Sequence, residues 1–390
     1  MTPPRDRSRA VRRSLSRTAL YLVLGGASLL FLTPLLWLLL TALKPIEQTM
    51  SRPITFLPRT HLAPIEGELL DVTRDFRTPV AGAVVDVLAG DQAGRRAFLD
   101  VNQLADRGPE VRVVHEVPAG WWHVTERLDP NEPPRVQRWA FVAPEEIQTK
   151  IDFRWRNFPD ALIRLGGDPT TTSAVEYVGF GRFLSNTVLV CVLGVIGTVF
   201  SNAVVAYGFA RLRWRGRDGF FALTLATMMV PFPVLMVPLY GVFKELGLIG
   251  SLTPLWLPYF FGSAFNIFLM RQFFRSIPEE LSEAARIDGC SEWRIFWQVV
   301  LPLSKPVLAT AALFHFLYAW NDFMGPLLFL TRKEDYTLAL ALQTFQSQHG
   351  GVRWHYLMAA SAVTILPIVI LFTFAQRTFI QGIATTGSKN

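Results

Sequence analysis

Residues 278–306 read PEELSEAARIDGCSEWRIFWQVVLPLSKP, a charged stretch set between two long apolar segments. Its spacing predicts two short helices. Pro278 suits a first helical position, whose N–H is unbonded in any case. The first helix is expected to run from Glu279 to Asp288 and to stop at Gly289, which takes the left-handed conformation that a helix end needs. Ser291 offers a side-chain cap to a second helix that ends near Pro302. Leu281, Ala284, Ala285 and Asp288 share one face at helical spacing, and Trp293, Phe296, Trp297 and Val300 share another. A helix–glycine–helix unit pinned between apolar spans is a surface for a partner to grip. An ordinary amphipathic helix on a membrane surface needs neither the glycine after Asp288 nor prolines at both ends.

The segments on either side explain why this stretch stands out. The chain has 390 residues, of which 51% are hydrophobic, and a mean hydropathy of +0.29, too apolar for a soluble protein of this size. Runs of roughly 20 apolar residues, the length a ~30 Å hydrocarbon core requires, cover residues 19–43, 183–210, 220–240, 252–270, 307–330 and 356–374. The expected fold class is therefore an all-α polytopic membrane protein with six transmembrane helices. The first run is too long for a signal-peptide core and lacks a small-residue cleavage site, so it is expected to remain as a span, kinked at Pro34.

Charge sets the expected orientation. Residues 1–17 hold six arginines and one acid, and residues 211–218 hold four arginines and one acid. With an even number of spans, these basic segments and both termini share a side, which the positive-inside rule makes the cytoplasm. The 278–306 loop falls on the same side. The net charge of +7 does not point to nucleic acid, because the arginines hug span ends and no basic face carries interleaved aromatics. Cys191 lies inside a span and Cys290 in the loop, and neither reads as a disulfide partner, metal ligand or nucleophile.

Residues 44–182 form an extracytoplasmic region of different character, with 17 basic and 20 acidic residues. Alternating runs at 80–88, 111–117, 121–127 and 136–142 are separated by Gly, Pro, Asp and Asn, with turns expected at Pro118-Ala119-Gly120 and Asp129-Pro130-Asn131. A small, mostly-β domain is expected over about 71–143. Trp121, Trp122, Trp139 and Trp155 have the chemistry to stack on sugar rings, but core aromatics are the favoured reading, since large aromatics dominate small cores.

Glu283, Ala284 and Ala285, followed by Asp288, Gly289, Phe296, Val299, Pro302 and Pro306, resemble the EAA motif of ABC-importer permeases, the loop that docks on the ATP-binding subunit. The family pattern has alanine where Cys290 stands and isoleucine where Val299 stands. From residue 180 onward the chain is similar to the carbohydrate, maltose-type permeases almost continuously. The similarity runs through 206–212 (AYGFARL), 228–231 (MMVP), 237–240 (VPLY), 247–249 (GLI), 320–323 (WNDF), 326–327 (PL), 336–339 (YTLA) and 376–382 (QRTFIQG). Residues 153–162 (FRWRNFPDAL) and 180–188 (FGRFLSNTV) resemble the family's lead-in to its second span, so the β domain reads as an insertion in the first external loop.

The resemblance implies the following organisation. Residues 1–43 are the cytoplasmic start and first span, and 183–390 are a permease core of spans two to six. The partners are a second permease subunit, two ATP-binding cassette subunits and an extracytoplasmic solute-binding protein. No cofactor is implied. Glu283, Ala284, Ala285, Arg286, Asp288, Gly289, Phe296 and Pro302 are the residues expected to couple the chain to the ATPase. The third external loop, 331–354, resembles the segment that probes the binding protein. The expected function is import of a sugar or oligosaccharide, with the sugar held mainly by the partner permease.

Of the polar residues within or beside the spans, Asn186, Asn202, Asn266 and His315 read as interhelical hydrogen-bonding groups. A charge in hydrocarbon costs about 2.5–3.5 kcal/mol on insertion scales, so Asp322 should face protein or water. Asn321 and Asp322 stand equally as translocation-path or gate residues and as interhelical bonds. Enzyme readings fail, for there is no phosphate-binding GxxxxGK[ST] loop, nucleophile elbow or HExxH zinc site. An importer of a non-sugar solute stays open. An ion-coupled secondary transporter would want an inverted repeat and paired mid-membrane carboxylates, and neither is present.

Overall fold

Runs of apolar residues with few breakers become long helices, and some of the prolines and left-handed glycines inside such runs, Pro231, Pro258 and Gly262 among them, mark where a helix stops. In a computed structural model, residues 5–49, 55–74, 80–88, 96–100, 111–127, 138–167, 177–347 and 351–386 are described. The chain divides into two compact units, Met1–Asn157 and Phe158–Asn390.

The first unit opens with helix α1 (Arg5–Ala42), which retains Pro34 within it. The C-terminal end of α1 is tied by its own unit. Asn157 Nδ2 donates to Ala42 O (2.7 Å) and Lys44 O (2.9 Å), filling carbonyls that a helix end leaves open. Strands β1 (Arg59–Ile65), β2 (Glu68–Arg74), β3 (Val80–Val87), β4 (Arg96–Asp100), β5 (Val111–Glu126), β6 (Trp139–Val142) and β7 (Gln148–Ile151) follow. They form one antiparallel sheet in the order β4-β3-β5-β2-β1-β7, with β6 also on β5. Period-two alternation puts Ala63 and Ile65, Leu70 and Val72, Trp122 and Val124, and Ala140 and Val142 into one apolar cluster.

Three expectations change here. The sheet runs from Arg59 to Ile151, wider than 71–143. Pro118-Ala119-Gly120 is not a turn, because β5 passes straight through it. Gly120 has φ +93°, and the register against β3 jumps from Val80↔Trp121 to Gly82↔Val117. This is a bulge at which β5 leaves β3 and continues on β2 and β6. The core-aromatic reading holds only in part: Trp122 packs half-buried against the cluster under the Arg74 guanidinium (4.6 Å), whereas Trp139 (39% exposed) and Trp155 (67% exposed) lie outside it. The Asp129-Pro130-Asn131 turn lies outside the described residues.

The second unit is built on α2 (Phe180–Ala210). After it come α3 (Arg217–Thr227), α4 (Phe232–Glu245) and α5 (Ala264–Ser276). Beyond α5 lie α6 (Glu279–Ile287), the helical run α7 (Glu292–Leu303), α8 (Lys305–Asn321) and α9 (Trp354–Thr386). Among the described residues three helices are long and apolar enough to cross a membrane: Arg17–Ala42 within α1, all of α2, and Trp354–Ala375 within α9. The count reaches five if the α3–α4 pair, bent by 98°, and the α7–α8 pair, bent by 78°, are each one span.

The expected continuous runs at 220–240 and 252–270 are both broken, and prolines explain it. Pro231 follows the end of α3 and caps α4, having no N–H to extend the earlier ladder. In 252–270 a four-residue helix, Thr253–Trp256, gives way to a 3-10 turn, Leu257–Phe261, that contains Pro258. Gly262 (φ +91°) then ends the turn before α5 begins.

Candidate functional site

The 278–306 loop is fixed first by its own backbone. Pro278 precedes α6 as its cap rather than occupying the first turn, and α6 closes at Ile287, one residue short of Asp288. Gly289 has φ +79°. Its N–H reaches Arg286 O (3.0 Å), and Cys290 N–H reaches Ala285 O (2.9 Å). This pair of bonds across a left-handed residue closes the helix end and leaves Ala285 and Cys290 against the same core. Ser291 Oγ then accepts from Arg294 N–H (3.4 Å) at the start of α7.

Within α7, Phe296–Val300 widens into a π turn, where the missing N–H of Pro302 removes a donor from the ordinary ladder. The helix bends at Ser304, which is fully buried and whose hydroxyl bonds Val300 O (2.7 Å). Pro306 falls in the first turn of α8, where no donor is needed.

Side chains from distant segments then clamp the loop. Ile295, Phe296 and Val300 are buried with Ala203, Ala206 and Tyr207 of α2, Met270 and Phe274 of α5, and Val307 and Ala311 of α8. Tyr207 donates its hydroxyl to Glu292 (2.6 Å), and Arg286 Nε donates to the other Glu292 oxygen (2.8 Å). The bond to Glu292 holds the Arg286 guanidinium above its ordinary pKa. Arg211 at the end of α2 donates to Phe274 O (2.6 Å) and to Ile277 O, capping the last carbonyls of α5.

What remains exposed is one face of α6: Leu281, Glu283, Ala284 and Ile287, the last 87% exposed. Trp293 and Trp297 of α7 are also exposed, at 59% and 51%. The expected residues thus divide. Glu283, Ala284, Asp288 and Gly289 lie outward, Arg286 braces the two helices, and Phe296, 2% exposed, anchors the loop. The expected common face of Trp293, Phe296, Trp297 and Val300 is split, because the core takes Phe296 and Val300. Sequence reasoning missed Ile287, Tyr207, Arg211 and Glu292. A third apolar residue at helical spacing after Leu281 and Ala284 was the available signal for Ile287.

Asn321 and Asp322 are adjacent in sequence and differently placed. The Asn321 amide turns back to Leu317 O (2.8 Å) on its own helix. Asp322 leaves α8 in extended conformation and accepts from Gly325 N–H (3.1 Å), capping the short helix Met324–Phe329. It also borders a cavity of about 490 Å³. Asn186 donates to Glu334 O (2.8 Å) and Tyr336 O (3.1 Å), pinning the start of the 331–354 segment to α2. Asn202 holds the break before α5 through Ser263 N–H (2.7 Å).

Residues 202–385 match the family model described as "Binding-protein-dependent transport system inner membrane component". The arabinooligosaccharides transport system permease protein AraQ of Halalkalibacterium halodurans is 37% identical over 229 residues, 57% of this chain and 81% of the relative. The sn-glycerol-3-phosphate transport system permease protein UgpE of Pectobacterium atrosepticum is 34% identical over 230 residues, 59% of this chain and 79% of the relative. A chain of a bacterial ABC transporter involved in import of the acidic polysaccharide alginate superposes with a TM-score of 0.50 at 26% identity, covering 58% of this chain and 80% of that one. By these matches the chain belongs to the family of inner-membrane components of binding-protein-dependent transport systems, as a permease subunit that leaves ATP hydrolysis to separate partner subunits.

Proposed function

We propose that the chain imports a sugar or oligosaccharide, and that α6 is the lever through which ATP drives it. It works beside a second permease subunit, with ATP-binding subunits and an external binding protein. The observation that carries the lever is the division within one loop. Ile295, Phe296 and Val300 fasten α7 into the core shared by α2, α5 and α8, while Leu281, Ala284 and Ile287 face outward on α6. When the ATP-binding subunits close, α6 moves with the cleft that holds it. The Arg286–Glu292–Tyr207 bonds and the bend at Ser304 carry that motion into α2 and α8, turning the pathway from inward- to outward-facing. Glu283 and Asp288 supply polar contacts to the cleft, Ala284 permits close approach, and Gly289 makes the turn.

Six spans with both termini in the cytoplasm place this loop beside the ATPase. The residue 44–182 segment is then an external insertion. Its support is that relatives align along about four-fifths of their own length but only 57–59% of this chain. The sheet offers the binding protein a second contact in addition to the 331–354 segment. The AraQ match favours an oligosaccharide, and the UgpE match keeps a phosphorylated polyol as the second reading.

The test is reconstitution of the complete transporter in liposomes with its binding protein, followed by uptake of radiolabelled arabinotriose and of sn-glycerol 3-phosphate. Arabinotriose uptake that requires ATP and the binding protein is expected. Uptake of neither of these solutes nor of maltose, or uptake without ATP-binding subunits, would overturn the reading.

A further inference from the structure

The cavity beside Asp322 lies where two apolar stretches both lose their helix. One break is the 3-10 turn Leu257–Phe261 with Gly262 and Ser263, and the other is Asp322 and Phe323 between α8 and Met324–Phe329. Pro258, Tyr259 and Ser263 from the first break and Asp322 from the second are on the cavity wall. Backbone freed from a helix at membrane depth is tolerated where it is buried in protein or lines a cavity. In secondary transporters, a different class, such half-helices frame the solute site.

The volume of about 490 Å³ falls in the ~300–1,000 Å³ range of small-molecule sites. The walls are aromatic, with Phe232, Phe265, Phe314, Tyr259 and Tyr318. Asn266 lines the same space. Its amide nitrogen donates to Ser263 Oγ (2.8 Å), and its Oδ1 is buried with no partner. A buried amide oxygen left in that state calls for a donor. The Tyr318 hydroxyl, hydrogen-bonded to that of Tyr259, and the Asp322 carboxylate, which accepts from Gly325 N–H, complete the polar groups of the wall. Aromatic faces with a few convergent hydrogen-bonding groups suit a molecule that has apolar C–H faces and a rim of hydroxyls.

We propose that this cavity seats a sugar ring of the transported solute, with a ring hydroxyl donating to Asn266 Oδ1 and the C–H face against the aromatic wall. The seat rests on the sugar-import reading and extends it, since it puts a solute contact in this subunit rather than in the partner permease alone.

The complete reconstituted transporter is assayed for ATP-dependent uptake of arabinotriose and of maltose, normalised to assembled complex. Asn266→Ala is expected to lower uptake about tenfold, the scale of one buried hydrogen bond. Tyr318→Phe, which removes a hydroxyl and no bulk, is expected to lower it roughly threefold. Because Asn266 also braces the helix break, binding is read separately. In a Cys290→Ala background, alkylation of Tyr318→Cys is expected to slow when saturating arabinotriose is present during turnover. Unchanged uptake in both variants overturns the seat. Reduced uptake without protection of the cysteine marks a structural role and also overturns it. A wild-type transporter that carries neither sugar overturns the sugar reading and the seat together, which separates that failure from a failure of the seat alone.

Discussion

Gly289 and Gly120 are locally alike and globally different. Both have left-handed backbone, φ +79° and +93°, and neither has a heavy atom within 4 Å of where a Cβ would stand. Gly289 closes a helix whose partner carbonyls lie within six residues, so its turn is complete in itself. Gly120 marks the point at which β5 exchanges β3 for β2, which lies earlier in the chain, and β6, which lies later, so its turn has meaning only inside the sheet. The loop therefore keeps a fixed shape while leaving an apolar face unpaired. The β unit answers its charges internally, as in Arg138 with Glu126 and Glu68 (3.0 Å each) and Asp71 with Arg127 and Arg154.

The contrast is sharpened most by separating anchor from face. Phe296→Ala empties a fully packed position and should destabilise the second unit by about 3–5 kcal/mol, seen as loss of assembled permease. Trp297→Ala, one residue on and exposed, should stay within about 0.5 kcal/mol in stability. If the two variants assembled equally well, the division of the loop into anchor and exposed face would be wrong.

Next comes the glycine pair itself. Gly289→Val should strain the turn by about 1–2 kcal/mol, a backbone cost, since nothing lies within 4 Å of the Cβ position. The expected readout is at least a several-fold loss of ATP-binding subunits that co-purify with the permease, while Gly289→Ala loses less. Normal transport by the valine variant would refute the turn. Gly120→Val carries a similar backbone cost, yet should lower only the stability of the sheet and leave ATPase co-purification at the wild-type level. A loss of ATPase from that variant would mean that the sheet bears on the coupling loop.

The loop was legible in sequence because its determinants are local: Pro278, Gly289, Ser291 and Pro306 each act within one turn. Tyr207 and Arg211 were not legible, since their bonds to Glu292, Phe274 and Ile277 span 63 to 85 positions. The same distance problem hid the β5 bulge, where Pro118 and Gly120 give an ordinary turn signal and only the partner strands show that the chain runs on. The apolar length rule passed through Pro231, Pro258 and Gly262 without stopping, although each residue is a breaker by itself. Asn321 and Asp322 read as a pair because sequence does not show that α8 ends between them. Helical expectations survived in α1, α2 and α9, with Pro34 and Pro367 carried inside α1 and α9 rather than ending them.

The smallest expected effect concerns pH and belongs to the sheet alone. His61 on β1 faces Thr149 (3.1 Å) of β7. Burial pushes its pKa below the ordinary value of 6.5, Arg74, Arg127 and Arg59 push it further down, and Asp71 opposes them. The folded unit therefore prefers neutral His61, and between the folded value and 6.5 the unfolded chain binds more protons. Stability rises with pH across that window, is fully present above 6.5, and is lost as pH falls toward the folded value. Limited proteolysis of the full-length chain between residues 59 and 151 should accordingly quicken from about pH 7.5 to about pH 5.5, with the trypsin and chymotrypsin rates corrected on an unfolded substrate. His61→Asn keeps a polar partner for Thr149 and cannot titrate, so its corrected rates should be level across the same range. A wild-type acid response that persists in His61→Asn would assign the effect to another group and remove His61 as the sheet's titrating residue.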